Sequence, residues 1–169
     1  MPTRPASDEY APYYEKYVSL VAGDDIVPTL TAQLVQTLKA LAAIPTDRGT
    51  HRYAPGKWSI NEVVGHMIDT ERVFGYRAMR FARNDATPLS GFDQDTYIAN
   101  ARFDACSLAD LREEFACVRR SHLYLLRQLD PAAWSRRGVA NGVEVTVRGL
   151  AYIIAGHELH HMQILATRY

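Results

Sequence analysis

"KWSINEVVGHMIDTERVFGYR", residues 57–77, carries both the start of a helix and its buried face. Ser59 followed three residues later by Glu62 is a capping box, in which each side chain satisfies a backbone N–H left open by the first helical turn. Beyond it Ile60, Val63, Val64, Met67, Phe74, Ala78 and Phe81 form one apolar stripe at helical spacing, which fades near Asn84. Such a stripe needs partners, and the chain supplies three. Residues 28–43 carry Leu30, Leu34, Leu38 and Leu41 behind Pro28, a residue suited to a first turn, and Pro45 and Gly49 end that helix. Ser107, with Asp110 in support, opens a helix whose seam reads Leu111, Phe115, Val118, His122, Leu125 and Leu129 before Pro131 stops it. A last helix runs from about Thr146 to Thr167. Four long amphipathic helices predict an all-α fold, a four-helix bundle, with residues 1–169 as a single domain.

The connections are less regular. Residues 84–105, "NDATPLSGFDQDTYIANARFDA", are rich in turn residues and read as a long ordered loop with one helical turn. Loops of that length in a compact domain usually serve function. "RRGVANGVEVTVRG", residues 136–149, sets Asn141-Gly142 between alternating valines, which predicts a small β-hairpin before the last helix. Residues 1–25 form an N-terminal extension with room for a short helix, set off by Gly23-Asp24-Asp25. Its tyrosines, Tyr10, Tyr13, Tyr14 and Tyr17, are expected to pack back on their own chain; a homodimer is the other use for them.

Composition narrows the partners. Nineteen basic and nineteen acidic residues cancel, so the chain lacks the clustered positive face that nucleic acid or an anionic membrane requires. No apolar run approaches the roughly 18 residues of a membrane span, and the opening residues lack the apolar stretch of a secretory signal. Cys106 and Cys117 are not spaced for a zinc ribbon or a dithiol motif. The expectation is a soluble, cytoplasmic protein acting on a small-molecule substrate.

The chemistry concentrates in "GHELHHMQIL", residues 156–165. At about 100° per residue, His157 and His161 fall within the stripe of Leu150, Ile153, Ile154, Ile164 and Leu165, whereas His160 lies about 80° to one side. Two imidazoles one turn apart in an apolar stripe need partners for four ring nitrogens, and a shared metal ion answers that need better than hydrocarbon does. A third ligand is then required. On its own helix His66 sits on the flank of the stripe, about 100° from the centre, and geometry leaves its role open. His122 lies on the inward seam of the third helix as a ligand, a supporting group or a core histidine. Glu62 and Asp69, one turn before and after His66, are candidates to accept a proton from a ligand's free ring nitrogen, or else part of a solvated acidic face.

Two familiar metal arrangements fit poorly. H-E-x-x-H spells the zinc-protease signature, but no Glu or His follows His161, and Glu158 projects toward the edge of the stripe. A carboxylate-bridged di-iron bundle needs a second E-x-x-H element, which Glu62 and His66 cannot supply at their spacing.

The tryptophan-led second helix with His66 and the "GHELHHMQI" block together resemble the DinB/YfiT-like superfamily of bacterial four-helix bundles, over roughly residues 26–167. The resemblance implies a divalent metal held by His66, His157 and His161. It also implies metal-dependent enzymes of thiol chemistry: transferases of a low-molecular-weight thiol of the bacillithiol or mycothiol type, isomerases, or hydrolases. A non-catalytic metal-binding bundle is the alternative. An all-imidazole site favours Zn²⁺, Ni²⁺ or Fe²⁺ over Mg²⁺ and leaves coordination open for water or a thiol. The resemblance assigns nothing to residues 1–25.

Overall fold

In the computed structural model, which describes residues 3–169, all four long helices form: α2 (Ile26–Ala42), α3 (Ile60–Ala82), α5 (Leu108–Arg127) and α6 (Val147–Arg168), with a short α1 (Glu15–Val18) ahead of them and α4 (Gln94–Asn100) between α3 and α5. Their starts follow from local chemistry. Ser59 Oγ accepts the Glu62 N–H at 3.0 Å while the Ser59 N–H donates to the Glu62 carboxylate at 2.7 Å, closing the expected capping box on α3. Ser107 caps α5 through the Asp110 N–H at 3.0 Å, and Thr146 caps α6 through the Gly149 N–H at 2.8 Å. The four helices form a bundle in which α2 and α3 each pack against both α5 and α6, so the consecutive helices α2 and α3 lie diagonally.

Between α5 and α6 the expected hairpin is present. Strands β1 (Arg137–Ala140) and β2 (Val143–Thr146) pair antiparallel, with Arg137 opposite Thr146 and Ala140 opposite Val143. Asn141 at φ 52° and Gly142 at φ 75° make the two-residue turn whose twist matches its strands. The hairpin also clamps the long loop: Leu89 N–H donates to Val139 O and Asn141 N–H to Leu89 O, each at 2.9 Å. Within that loop the single expected turn is a seven-residue helix, α4, capped by Asp93.

Two faces differ from the periodic reading, for one physical reason. On α5 the buried stripe runs Leu111, Phe115, Arg119, Leu123 and Leu126, leaving Val118, His122, Leu125 and Leu129 half-buried. The stripe rotates by one position because Arg119, fully buried, is neutralised there: it pairs with both oxygens of Glu71 on α3, at 2.6 and 2.8 Å, and with Glu158 on α6 at 2.8 Å. Glu158 is correspondingly deep in the core rather than at the edge of its stripe.

Helix α6 is buried on every side from Gly149 to Glu158, because the N-terminal extension covers the face that the bundle leaves open. Val18 and Val21 are buried there, and Thr146 N–H donates to Glu9 O at 3.0 Å. The approach is close enough that a Cβ on Gly156 would stand 2.0 Å from Tyr17 O, and one on Gly149 2.8 Å from Glu9 O. Glycine at these two positions is what lets another backbone lie against the helix. Of the extension's tyrosines, Tyr10 and Tyr17 are buried against their own chain and Tyr14 is half-buried, whereas Tyr13 is 63% exposed. Among the described residues no helix is long and apolar enough to cross a membrane.

A three-histidine centre at the floor of a pocket

His157 and His161, one turn apart on α6, meet His66 from the neighbouring α3. His157 Nε2 lies 3.0 Å from His66 Nε2 and 3.1 Å from His161 Nε2, and all three rings are buried. His66 reaches this point from the flank of its stripe because α6 packs along that side of α3. Trp58 packs on its ring at 4.9 Å, and Thr70 Oγ1, one turn on, stands 3.5 Å from its Nδ1.

Burial dominates the titration of the three rings. It pushes His66 down to about 4 and His161 down to about 3, and His157 well below the ordinary histidine value, with the neighbouring imidazoles adding to the effect. All three are therefore neutral near pH 7, the form that binds metal. Three neutral rings with their Nε2 atoms facing one another cannot all be satisfied mutually, since a neutral imidazole carries one N–H and one lone pair. A cation bonded to imidazole at about 2.0–2.1 Å would hold its ligand nitrogens roughly 3–3.4 Å apart. The spacing about His157 matches, so the donor set fits a divalent transition metal.

The other residues singled out in the sequence take different partners. The Glu62 carboxylate is held by the Ser59 N–H and by Arg52 at 3.0 Å. Asp69 faces Arg72 at 3.4 Å, and His122 Nδ1 lies 3.2 Å from Glu71 in the buried ionic group. None of these three pairs with a ring nitrogen of the triad among the described residues. Glu158 accepts a hydrogen bond from Thr37 at 2.5 Å and pairs with Arg119, so the carboxylate of the H-E-x-x-H spelling points away from its histidines. Glu158 and Glu71 show how the ionic group is balanced. Burial pushes Glu158 up, only partly offset by Arg119 and Thr37. At Glu71 burial is overcome by Arg119 and His122, and the carboxyl ends below its ordinary value.

A pocket of about 490 Å³ opens beside His66 and His157. Its walls come from three segments: α3 supplies Thr70, Phe74 and Arg77, the loop and hairpin supply Asp93, Asp95 and Asn141, and the extension supplies Tyr13, Tyr14 and Tyr17. Tyr17 stands edge-on to His157 at 5.3 Å and to His160 at 5.4 Å. Residues 91–95 of the long loop, together with Asn141 and Val143 of the hairpin, thus reach the site. The tyrosines and Arg77 were not foreseen as site residues. Their signals were present: tyrosines at positions 10, 13, 14 and 17 have the spacing of one helix face, and Arg77 falls eleven residues after His66, close to three whole turns.

The fold and centre define a helical bundle whose inward histidines, from two adjacent helices, converge at the end of an open pocket. The chain belongs to the DinB superfamily, whose sequence profile matches residues 29–165. No curated protein matches it at the sequence level. Among solved structures it is similar to YfiT from Bacillus subtilis, described as a probable metal-dependent hydrolase with an unusual four-helix bundle topology: 15% identity, TM-score 0.72, 98% of this chain and 90% of that one covered. It is also similar to the mycothiol-dependent maleylpyruvate isomerase, at 13% identity and TM-score 0.68, over 86% of this chain. The chain spans 61% of that isomerase's length. At these identities the likeness shows the fold.

Proposed function

We propose that this protein is a metal-dependent enzyme in which His66, His157 and His161 hold one divalent transition metal, Zn²⁺, Ni²⁺ or Fe²⁺, and that it catalyses transfer of a low-molecular-weight thiol or hydrolysis of a small molecule. The observation that carries the reading is the convergence of three buried, neutral imidazoles at a pocket large enough for a substrate. A metal held there supplies Lewis acidity that makes water or a thiol nucleophilic near neutral pH. The chain does the rest. Its all-imidazole donor set adds no negative charge to the centre, and Glu158 is kept out of reach by Thr37 and Arg119. Tyr17 and Trp58 cover the rings and limit access of bulk water to the side of the pocket. The descriptions of YfiT and of the mycothiol-dependent isomerase support hydrolysis and thiol chemistry respectively as the classes to test.

Elemental analysis of the purified protein beside His157→Ala tests the centre: about one metal per chain in the wild type and loss in the variant are expected. Consumption of bacillithiol, mycothiol or cysteine in the presence of an electrophile tests the reaction. Stoichiometric metal with no turnover of thiol or ester substrates would favour the non-catalytic metal-binding bundle.

A further inference from the structure

Arg77 is 4% exposed, yet no carboxylate lies within ion-pair distance of its guanidinium among the described residues. Arg119, of similar burial, holds two. A buried cation without a counter-charge is costly, and proteins ordinarily pair it or leave it facing a ligand. Arg77 faces the pocket. One Nη donates to Ser90 O at 2.8 Å, and the rings of Phe74 and Phe92 lie 5.2 and 5.9 Å from its Cζ, fixing the group in place. The Tyr14 phenol, from the extension, acts on the guanidinium and favours its charged form. Burial is the main influence on its titration and pulls it below the ordinary arginine value, as befits a cation short of negative charge.

Asp93 and Asp95 also line the pocket, but both are exposed, and Asp93 is engaged with the Thr96 N–H at 2.6 Å. They remain solvated at the rim and do not neutralise Arg77. A guanidinium carries five donors; Ser90 O takes one and the Tyr14 phenol also draws on the group, which leaves donors for a planar, singly charged acceptor. A phosphate would ask for more positive charge than this wall offers.

His66, Thr70, Phe74 and Arg77 share one face of α3, and about 16 Å of axial rise separates the first Cα from the last. A ligand held at both ends would lie along this face, with its charge remote from its reacting atom.

We propose that the substrate is an organic acid whose carboxylate is received by Arg77 while its opposite end reaches the three-histidine centre. The assignment rests on the proposed metal enzyme for the second half of that statement. The first half stands on Arg77 alone, and the experiment separates the two.

Calorimetric titration of the chelator-treated protein with 3-phenylpropionate, its primary amide and phenyl phosphate removes any binding of acid to metal. The carboxylate should bind wild type about tenfold tighter than the amide, the worth of one charge-assisted pair. Arg77→Gln should bind acid and amide alike, and Arg77→Lys should recover part of the preference. Far-UV circular dichroism and metal content of the reloaded variants, both unchanged, show that fold and centre survive. Equal binding of acid and amide by wild type, no binding of the acid, a preference retained by Arg77→Gln, or phenyl phosphate binding tighter than the acid would each overturn the assignment. Loss of metal binding with the acid preference intact would instead overturn the proposed centre and leave Arg77's role standing.

Discussion

Removing metal should make this protein acid-sensitive well above the range in which carboxylates titrate. His66, at about 4, and His161, at about 3, resist protonation in the folded chain, whereas in the unfolded chain each takes up a proton near 6.5. The folded values are depressed, so this stability is fully present above 6.5 and is lost as pH falls toward the folded values. Between pH 7 and pH 5 the unfolded state binds nearly one more proton at each ring, worth about 2 kcal/mol per histidine. His157 is also depressed well below the ordinary value and adds a similar amount, giving roughly 6 kcal/mol for the three as an upper bound. That is a large share of the roughly 5–15 kcal/mol that holds a domain together. Urea unfolding followed by circular dichroism, on chelator-treated protein at several pH values in that window, measures it. His161→Phe should remove about a third of the dependence, and added Zn²⁺ should raise stability at pH 7 and lose its effect as pH falls. A change below about 1 kcal/mol across the window would refute the view that three buried neutral imidazoles face one another without a counter-ion.

Gly156→Ala should push the extension off α6, because its Cβ would stand 2.0 Å from Tyr17 O. The expected cost is about 1–3 kcal/mol, with faster proteolysis confined to residues before Ile26. Arg119→Met leaves Glu71 and Glu158 buried without a cation and should cost about 3–5 kcal/mol at pH 7 in urea unfolding. That deficit should shrink in mild acid, where the two stranded carboxyls can protonate. Ser59→Ala opens the α3 capping box and should cost about 1 kcal/mol with metal content unchanged. Loss of metal would show that the cap also positions His66, and a larger stability loss that the hydrogen bond Ser59 donates to Asp104 contributes as well.

What the sequence determined by itself was the part governed by neighbours along the chain. Caps at Ser59 and Ser107, the Asn141-Gly142 turn and four apolar stripes depend on spacings of two to four residues, and these fix the helices, the hairpin and the bundle. The pair His157 and His161 was legible for the same reason, one turn on one helix. The family resemblance added His66, which periodicity had left on a flank. Tertiary structure decided the rest. Arg119 sits in the core because Glu71 and Glu158, distant in sequence, arrive from two other helices to neutralise it, and a stripe rule that counts charge as exposed cannot anticipate that. Tyr17 reaches the histidines because Gly156 admits its backbone against α6. Arg77 acquires meaning only when the extension, α3 and the Ser90 loop enclose it without a carboxylate. Hydrophobic period is written in each segment separately; which charges find partners, and which are left facing a pocket, depends on how the segments meet.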